Sequence, residues 1–138
     1  MHTHIPVVLF FLFSWVAGTP GPSNQAIDPP AVPRISVDDF KKLHAASDVL
    51  VVDVRSDASF REGHIPGATW VALADIERRA NELRKKVRSR PIVTYCSCFA
   101  EHTAALAASR LYALGFVNVK ALAGGYPEWV LRGWRVER

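Results

Sequence analysis

Cysteine is scarce in this chain. There are two in 138 residues, at Cys96 and Cys98. With His102 they could offer three zinc ligands, but that spacing matches no standard structural site, so no metal is expected. A glycine-rich phosphate loop and a nucleotide-binding fingerprint are both missing, and no cofactor is expected. Nothing reads as an RNA- or DNA-recognition motif, so no nucleic-acid partner is expected. Internal repeats and long low-complexity tracts are absent. No apolar run reaches the about 20 residues of a comfortable membrane span.

What is present fits one domain of ordinary size. The hydrophobic share is 49%, enough for a packed core, and the formal net charge is +4. Much of the excess lies in Arg78, Arg79, Arg84, Lys85, Lys86, Arg88 and Arg90. Such a run suits an anionic surface, but on an amphipathic helix it reads more simply as a solvated face.

The start of the chain is apolar from Ile5 to Ala17. That length fits the core of a secretory signal, and Val16-Ala17-Gly18 offers small residues for cleavage after Gly18. The leading Met1-His2-Thr3-His4 carries no Lys or Arg, which is unusual for such a signal. The alternative is an uncleaved segment that anchors the protein to a membrane. Residues 19–33 then hold Pro20, Pro22, Pro29, Pro30 and Pro33, and read as a semi-rigid linker. The expected organisation is signal 1–18, linker 19–33 and one domain over 34–138. Export would place the two cysteines in an oxidising compartment.

Within the domain, strands and helices alternate. Ser36 is a good N-cap, followed by Asp38 and Asp39 at the positive end of a helix with Phe40 and Leu43 inward. Val49–Val54 is a continuous apolar run, predicting a strand buried on both faces. Gly63–Gly67 is a turn and Thr69–Leu73 a short strand. Ala74–Val87 predicts an amphipathic helix with Ile76, Ala80, Leu83 and Val87 inward. A second buried strand is expected over Pro91–Cys96, and a helix over Thr103–Leu114, stopped by Gly115. Val117–Leu122 reads as a strand, and Tyr126–Leu131 as a short helix. This alternation predicts an α/β fold with a mainly parallel central sheet and helices on both faces.

One place in that pattern carries chemistry. A buried strand ends at Tyr95-Cys96, and Ser97, Cys98, Phe99, Ala100, Glu101 and His102 form a loop into a helix near Thr103. Loop amides and a helix N-terminus facing a sulfur lower its pKa and favour the thiolate, which is the nucleophile. A persulfide anion there would be stabilised by the same donors.

Three segments together resemble the rhodanese-like family. They are Asp53-Val54-Arg55 with Phe60 and Gly63-His64-Ile65-Pro66-Gly67-Ala68, then Tyr95-Cys96 at a strand end, then Leu122-Ala123-Gly124-Gly125 with Trp129, Gly133-Trp134 and Val136. The resemblance implies a rhodanese-like α/β fold and a sulfurtransferase that holds sulfane sulfur on a cysteine. It implies Cys96 as the catalytic cysteine, with Ser97, Cys98, Phe99, Ala100, Glu101, His102 and Thr103 around the substrate. The implied partners are a small sulfur donor and a thiol or cyanide acceptor, with a partner protein as a further possibility. Asp53, Arg55 and His64 are expected to organise neighbouring loops, Gly124 and Gly125 to approach the catalytic loop closely, and Trp129 and Trp134 to pack.

The loop departs from the family pattern. The family loop is usually six residues long and often carries Arg or Lys, whereas no cation lies between Cys96 and Thr103. Glu101 stands there instead and would repel thiosulfate if it faced the pocket. Counting back from Gly115-Phe116, the usual helix length fits Cys98 better than Cys96, so Cys98 remains an alternative nucleophile or a resolving thiol. Read as Cys-x5-His, the loop resembles rhodanese-fold phosphatases and arsenate reductases, but His102 replaces their oxyanion-binding Arg. Two further functions stay open: a non-catalytic rhodanese-like binding module, and a thiol–disulfide redox protein using Cys96 and Cys98.

Overall fold

The structure is a computed structural model and describes residues 31–138. The expected signal over 1–18 and most of the expected linker lie outside the described residues.

Five strands form one sheet: β1 (Arg34–Ile35), β2 (Leu50–Asp53), β3 (Thr69–Trp70), β4 (Ile92–Tyr95) and β5 (Val119–Leu122). Their spatial order is β1-β5-β4-β2-β3, and every ladder is parallel. The helices are α1 (Val37–Ala45), α2 (Asp57–Glu62), α3 (Ile76–Val87), α4 (His102–Ala113) and α5 (Gly125–Leu131). Ser36 caps α1 as expected, its hydroxyl accepting from the Asp39 amide.

Several boundaries move, each for a local reason. β3 stops at Trp70 because Asp53, its last partner, ends β2; the chain passes into a 3-10 turn over Leu73–Asp75, and α3 begins at Ile76. β5 begins at Val119 because Val117 is exposed and Asn118 adopts φ 54°. α2 and β1 were not expected. α2 buries none of its residues and rests on a Ser56 cap. β1 is a two-residue strand created by pairing with β5.

The central strands alternate their side chains between two cores, as a sheet covered on both faces requires. On one face Leu50, Val52, Ile92 and Cys96 meet Ile76, Ala80 and Leu83 of α3 and Ala104, Ala105, Ala107, Ala108 and Leu111 of α4. On the other, Val51, Val93 and Tyr95 meet Phe40 of α1 and Trp129 of α5. Val87 is only half-buried, as the last residue of α3. The basic run is largely tied down locally: Arg79 and Lys86 pair with Glu82, Arg78 pairs with Asp75, and Arg90 donates to the carbonyls of Lys86 and Val87.

Because all strands are parallel, their carboxyl ends gather the loops after β2, β4 and β5 at one edge. Open α/β sheets bind ligands there.

Candidate active site

The loop after β4 is held from below and from the side. Below it, the Thr94 hydroxyl donates to the carbonyl of Ala104 at 2.8 Å and ties the strand to the first turn of α4. From the side, the Tyr126 amide donates to the carbonyl of Cys96 at 2.9 Å. That contact requires glycine at the start of α5. A Cβ on Gly125 would lie 2.5 Å from the Cys96 oxygen, and Gly125 also has φ +56°.

Behind the loop sits a buried polar cluster. The Arg55 guanidinium donates to both carboxylate oxygens of Asp53, at 2.7 to 3.1 Å, and to the carbonyl of Gly63. Tyr95 donates its hydroxyl to Asp53 at 2.6 Å and accepts from the Ile65 amide. Burial, with the Asp53 carboxylate adding to it, pushes the Tyr95 phenol well above its ordinary value, so it stays a donor. Arg55 also lies over the Tyr126 ring, 4.0 Å from its centroid. Asp53 and Arg55 therefore join β2, β4, the Gly63 turn and α5, the organising role expected of them. His64 holds its turn by a ring contact to the carbonyl of Phe60 and by stacking on that residue's ring.

The two cysteines differ sharply. Cys96 ends the strand and is 3% exposed, whereas Cys98 is half-buried at the mouth of the loop. Their sulfurs are 2.8 Å apart. Burial first, and then the neighbouring Cys98 sulfur, pushes the Cys96 thiol up to about 11. For Cys98, burial also pushes upward, but it is outweighed by the Cys96 thiol and by the amides of Thr103, His102 and Cys98 itself, which hold it below the ordinary thiol value. The sequence predicts those donors around Cys96. The structure divides them: the amides of Thr103 and His102, at the start of α4, lower the Cys98 thiol, while the Ala104 and Cys98 backbones act on Cys96 without offsetting its burial.

The remaining expected site residues divide. Ser97, Phe99, Ala100 and His102 are exposed around the opening, with Phe99 at 61%. Thr103 is half-buried and contributes its amide. Glu101 does not face an empty pocket. One carboxylate oxygen accepts from the Gly124 amide at 2.8 Å, and the other lies 3.7 Å from the Arg34 guanidinium. Glu101 also takes φ 51°, which lets the chain turn into α4. The expected repulsion of thiosulfate by Glu101 assumed a carboxylate free to face the ligand; here it clamps the loop to α5 and β1. Thr94, Tyr126 and Arg34 went unnoticed in the sequence. Only Thr94 left a signal, as a hydroxyl inside an otherwise apolar buried strand.

Among the described residues, no group of three His, Cys, Asp or Glu side chains is placed to hold a metal ion. Nor is any described helix long and apolar enough to cross a membrane.

A strand-end cysteine, a loop wrapped on a helix N-terminus and a double glycine pressed against that loop coincide with a match to the family model described as the rhodanese-like domain, over residues 36–132. The chain belongs to the rhodanese-like family. The putative sulfur carrier protein YrkF of Bacillus subtilis is 27% identical over 110 residues, which are 79% of this chain and 57% of that protein. The chain thus spans little more than half of that relative. The thiosulfate sulfurtransferase GlpE of Pseudoalteromonas translucida is 31% identical over 99 residues, 72% of this chain and 90% of that one. A rhodanese-related protein from Thermoplasma volcanium superposes with a TM-score of 0.66 at 21% identity, over 77% of this chain and 98% of that one; this is a likeness of fold. Relatives named thiosulfate sulfurtransferase thus support the sulfurtransferase class for this chain.

Proposed function

We propose that this rhodanese-like protein is an exported sulfurtransferase that carries a sulfane sulfur as a persulfide on Cys98. The observation that supports Cys98 over Cys96 is access: Cys98 is half-buried at the mouth of the loop whereas Cys96 is 3% exposed, and the amides of Thr103, His102 and Cys98 help to lower the Cys98 thiol. A thiolate there attacks the sulfane sulfur of a donor. The bond between that sulfur and the rest of the donor breaks, and the donor leaves with the electron pair. The same amides then face the persulfide anion. A thiol or cyanide acceptor takes the outer sulfur and restores the thiolate. The names of the two curated relatives, a putative sulfur carrier and a thiosulfate sulfurtransferase, support a small anionic donor or a carrier partner. Export rests on the apolar segment Ile5–Ala17 and the small residues at Val16-Ala17-Gly18. With the segment uncleaved, the proline-rich linker becomes a membrane tether. Native protein beginning at Met1 in a soluble cytosolic fraction would defeat export.

Intact-mass measurement after incubation with thiosulfate tests the persulfide. The parent protein gains about 32 Da, one sulfur. Cys98→Ser loses that gain and Cys96→Ser keeps it. The reverse pattern returns the role to Cys96, and no gain on either cysteine with several donors favours a binding module. Alkylation by iodoacetamide gives a second check. Cys98 has a depressed pKa, so its rate reaches a plateau at lower pH than an unperturbed thiol does. In Cys96→Ala that midpoint moves upward, because the donor facing the thiolate is gone.

A further inference from the structure

A simple sulfur relay needs one cysteine, yet the site holds two. Cys96 is poorly placed for an outside substrate. It is 3% exposed at the end of β4, and its backbone is fixed by the Tyr126 amide and the close approach of Gly125. What it does face is the Cys98 sulfur, at 2.8 Å. Both thiols are free.

We infer that Cys96 is the internal resolving thiol, which attacks the inner sulfur of a Cys98 persulfide, expels the outer sulfur as hydrosulfide and leaves a Cys96–Cys98 disulfide. This rests on the persulfide chemistry proposed above. The step balances. Cys96 begins as a thiol and the Cys98 persulfide as an anion; a bond forms between the two cysteine sulfurs while the sulfur–sulfur bond of the persulfide breaks. The expelled sulfur keeps that bond's electron pair and takes the Cys96 proton, leaving as HS⁻. The two cysteine sulfurs are oxidised together by two electrons, and the sulfane sulfur is reduced by two. A dithiol reductant then reopens the disulfide by ordinary thiol–disulfide exchange.

The geometry favours attack on the inner sulfur. Exchange proceeds with the attacking sulfur, the attacked sulfur and the leaving sulfur in line. Cys96 contacts the Cys98 sulfur from the buried side, so the leaving sulfur points away from it, toward the open side of the loop lined by exposed Ser97, Phe99 and His102. The product is inorganic sulfide rather than a sulfur-bearing thiol, and the electrons come from a dithiol. The same disulfide is a resting form without a thiolate, unable to accept sulfur until reduced.

A single-turnover experiment on the full chain tests this. Fully reduced protein is loaded with thiosulfate, freed of small molecules by gel filtration and left without any added thiol. A parallel sample is loaded with glutathione persulfide. The expected result is one equivalent of sulfide released, with the mass falling from about 32 Da above the reduced protein to about 2 Da below it. In Cys96→Ser and Cys96→Ala the gain of about 32 Da persists, and sulfide release slows by at least about tenfold, since the neighbouring thiol is gone. Circular dichroism of both variants checks that they fold. A parent protein that keeps its added sulfur and releases no sulfide overturns the inference and leaves the sulfurtransferase reading standing. So does equal release from the parent and both variants. Failure of both donors to load any sulfur overturns the sulfurtransferase reading, and this inference with it.

Discussion

The two faces of the sheet are built from different materials. One is covered by α3 and by α4, and the buried positions of α4 are almost all alanine: Ala104, Ala105, Ala107 and Ala108, with Leu111. The other is covered by large rings, with Trp129 tilted against Phe40 at 5.6 Å and edge-on to Trp134 at 4.9 Å. Small side chains let a helix come close, and large ones fill space and store burial energy. The difference teaches where stability and reactivity reside. The aromatic face buries the largest single side chains, Trp129 and Tyr95. The alanine face brings the first amides of α4 against the loop that carries the two thiols.

The largest effect that would sharpen this contrast is a cavity on the aromatic face. Trp129 is fully buried, and its indole N–H donates to the carbonyl of Arg135. Trp129→Ala should destabilise the domain by about 3–5 kcal/mol in urea unfolding. Next comes overpacking of the alanine face. Ala107→Leu should cost about 1–3 kcal/mol. It should nevertheless raise the midpoint of Cys98 alkylation more than Trp129→Ala does, because it pushes α4 off the sheet. If the midpoint moves equally in both, the division between the faces fails. A smaller effect is expected at the seam. Thr94→Val keeps the volume but deletes the hydroxyl that donates to Ala104, for about 1 kcal/mol. The smallest is Glu101→Gln. The amide oxygen can still accept from Gly124, and only the partly exposed pair with Arg34 is lost, within about 1 kcal/mol. Thiosulfate turnover should stay within about twofold, the level expected when so weak a pair changes. A large gain in turnover at low salt would show that the carboxylate does face the donor after all.

Much of the fold is legible in the sequence. The runs around Val51 and Val93 are apolar on both sides of the pleat, so they can only be strands covered twice. Ser36 and Gly115 punctuate their helices as their chemistry demands. α2 is hidden because none of its residues is buried and no apolar stripe marks it. β1 is hidden because a two-residue strand exists only through its partner. In the site, the pair of thiols is visible, and so is the pressure of the double glycine against the loop. Which thiol lies at the mouth of the loop is not. That depends on where the first turn of α4 lands in space, a shift of one or two residues that no local pattern records. The clamp on Glu101 is equally invisible, since Arg34 and Gly124 come from opposite ends of the domain.

The pairing of β1 with β5 also has a consequence for the order in which the molecule can be finished. The first strand of the domain finds its ladder partner only at Ala121 and Leu122, and the backbone of His64 exchanges hydrogen bonds with that of Glu137, beside the chain's last residue. During synthesis neither contact can close until nearly the whole domain has left the ribosome. Until then, the amides of Gly124 and Tyr126 are not yet in place against the loop. The growing chain therefore holds both cysteines before it holds the clamp that separates one thiol from the other.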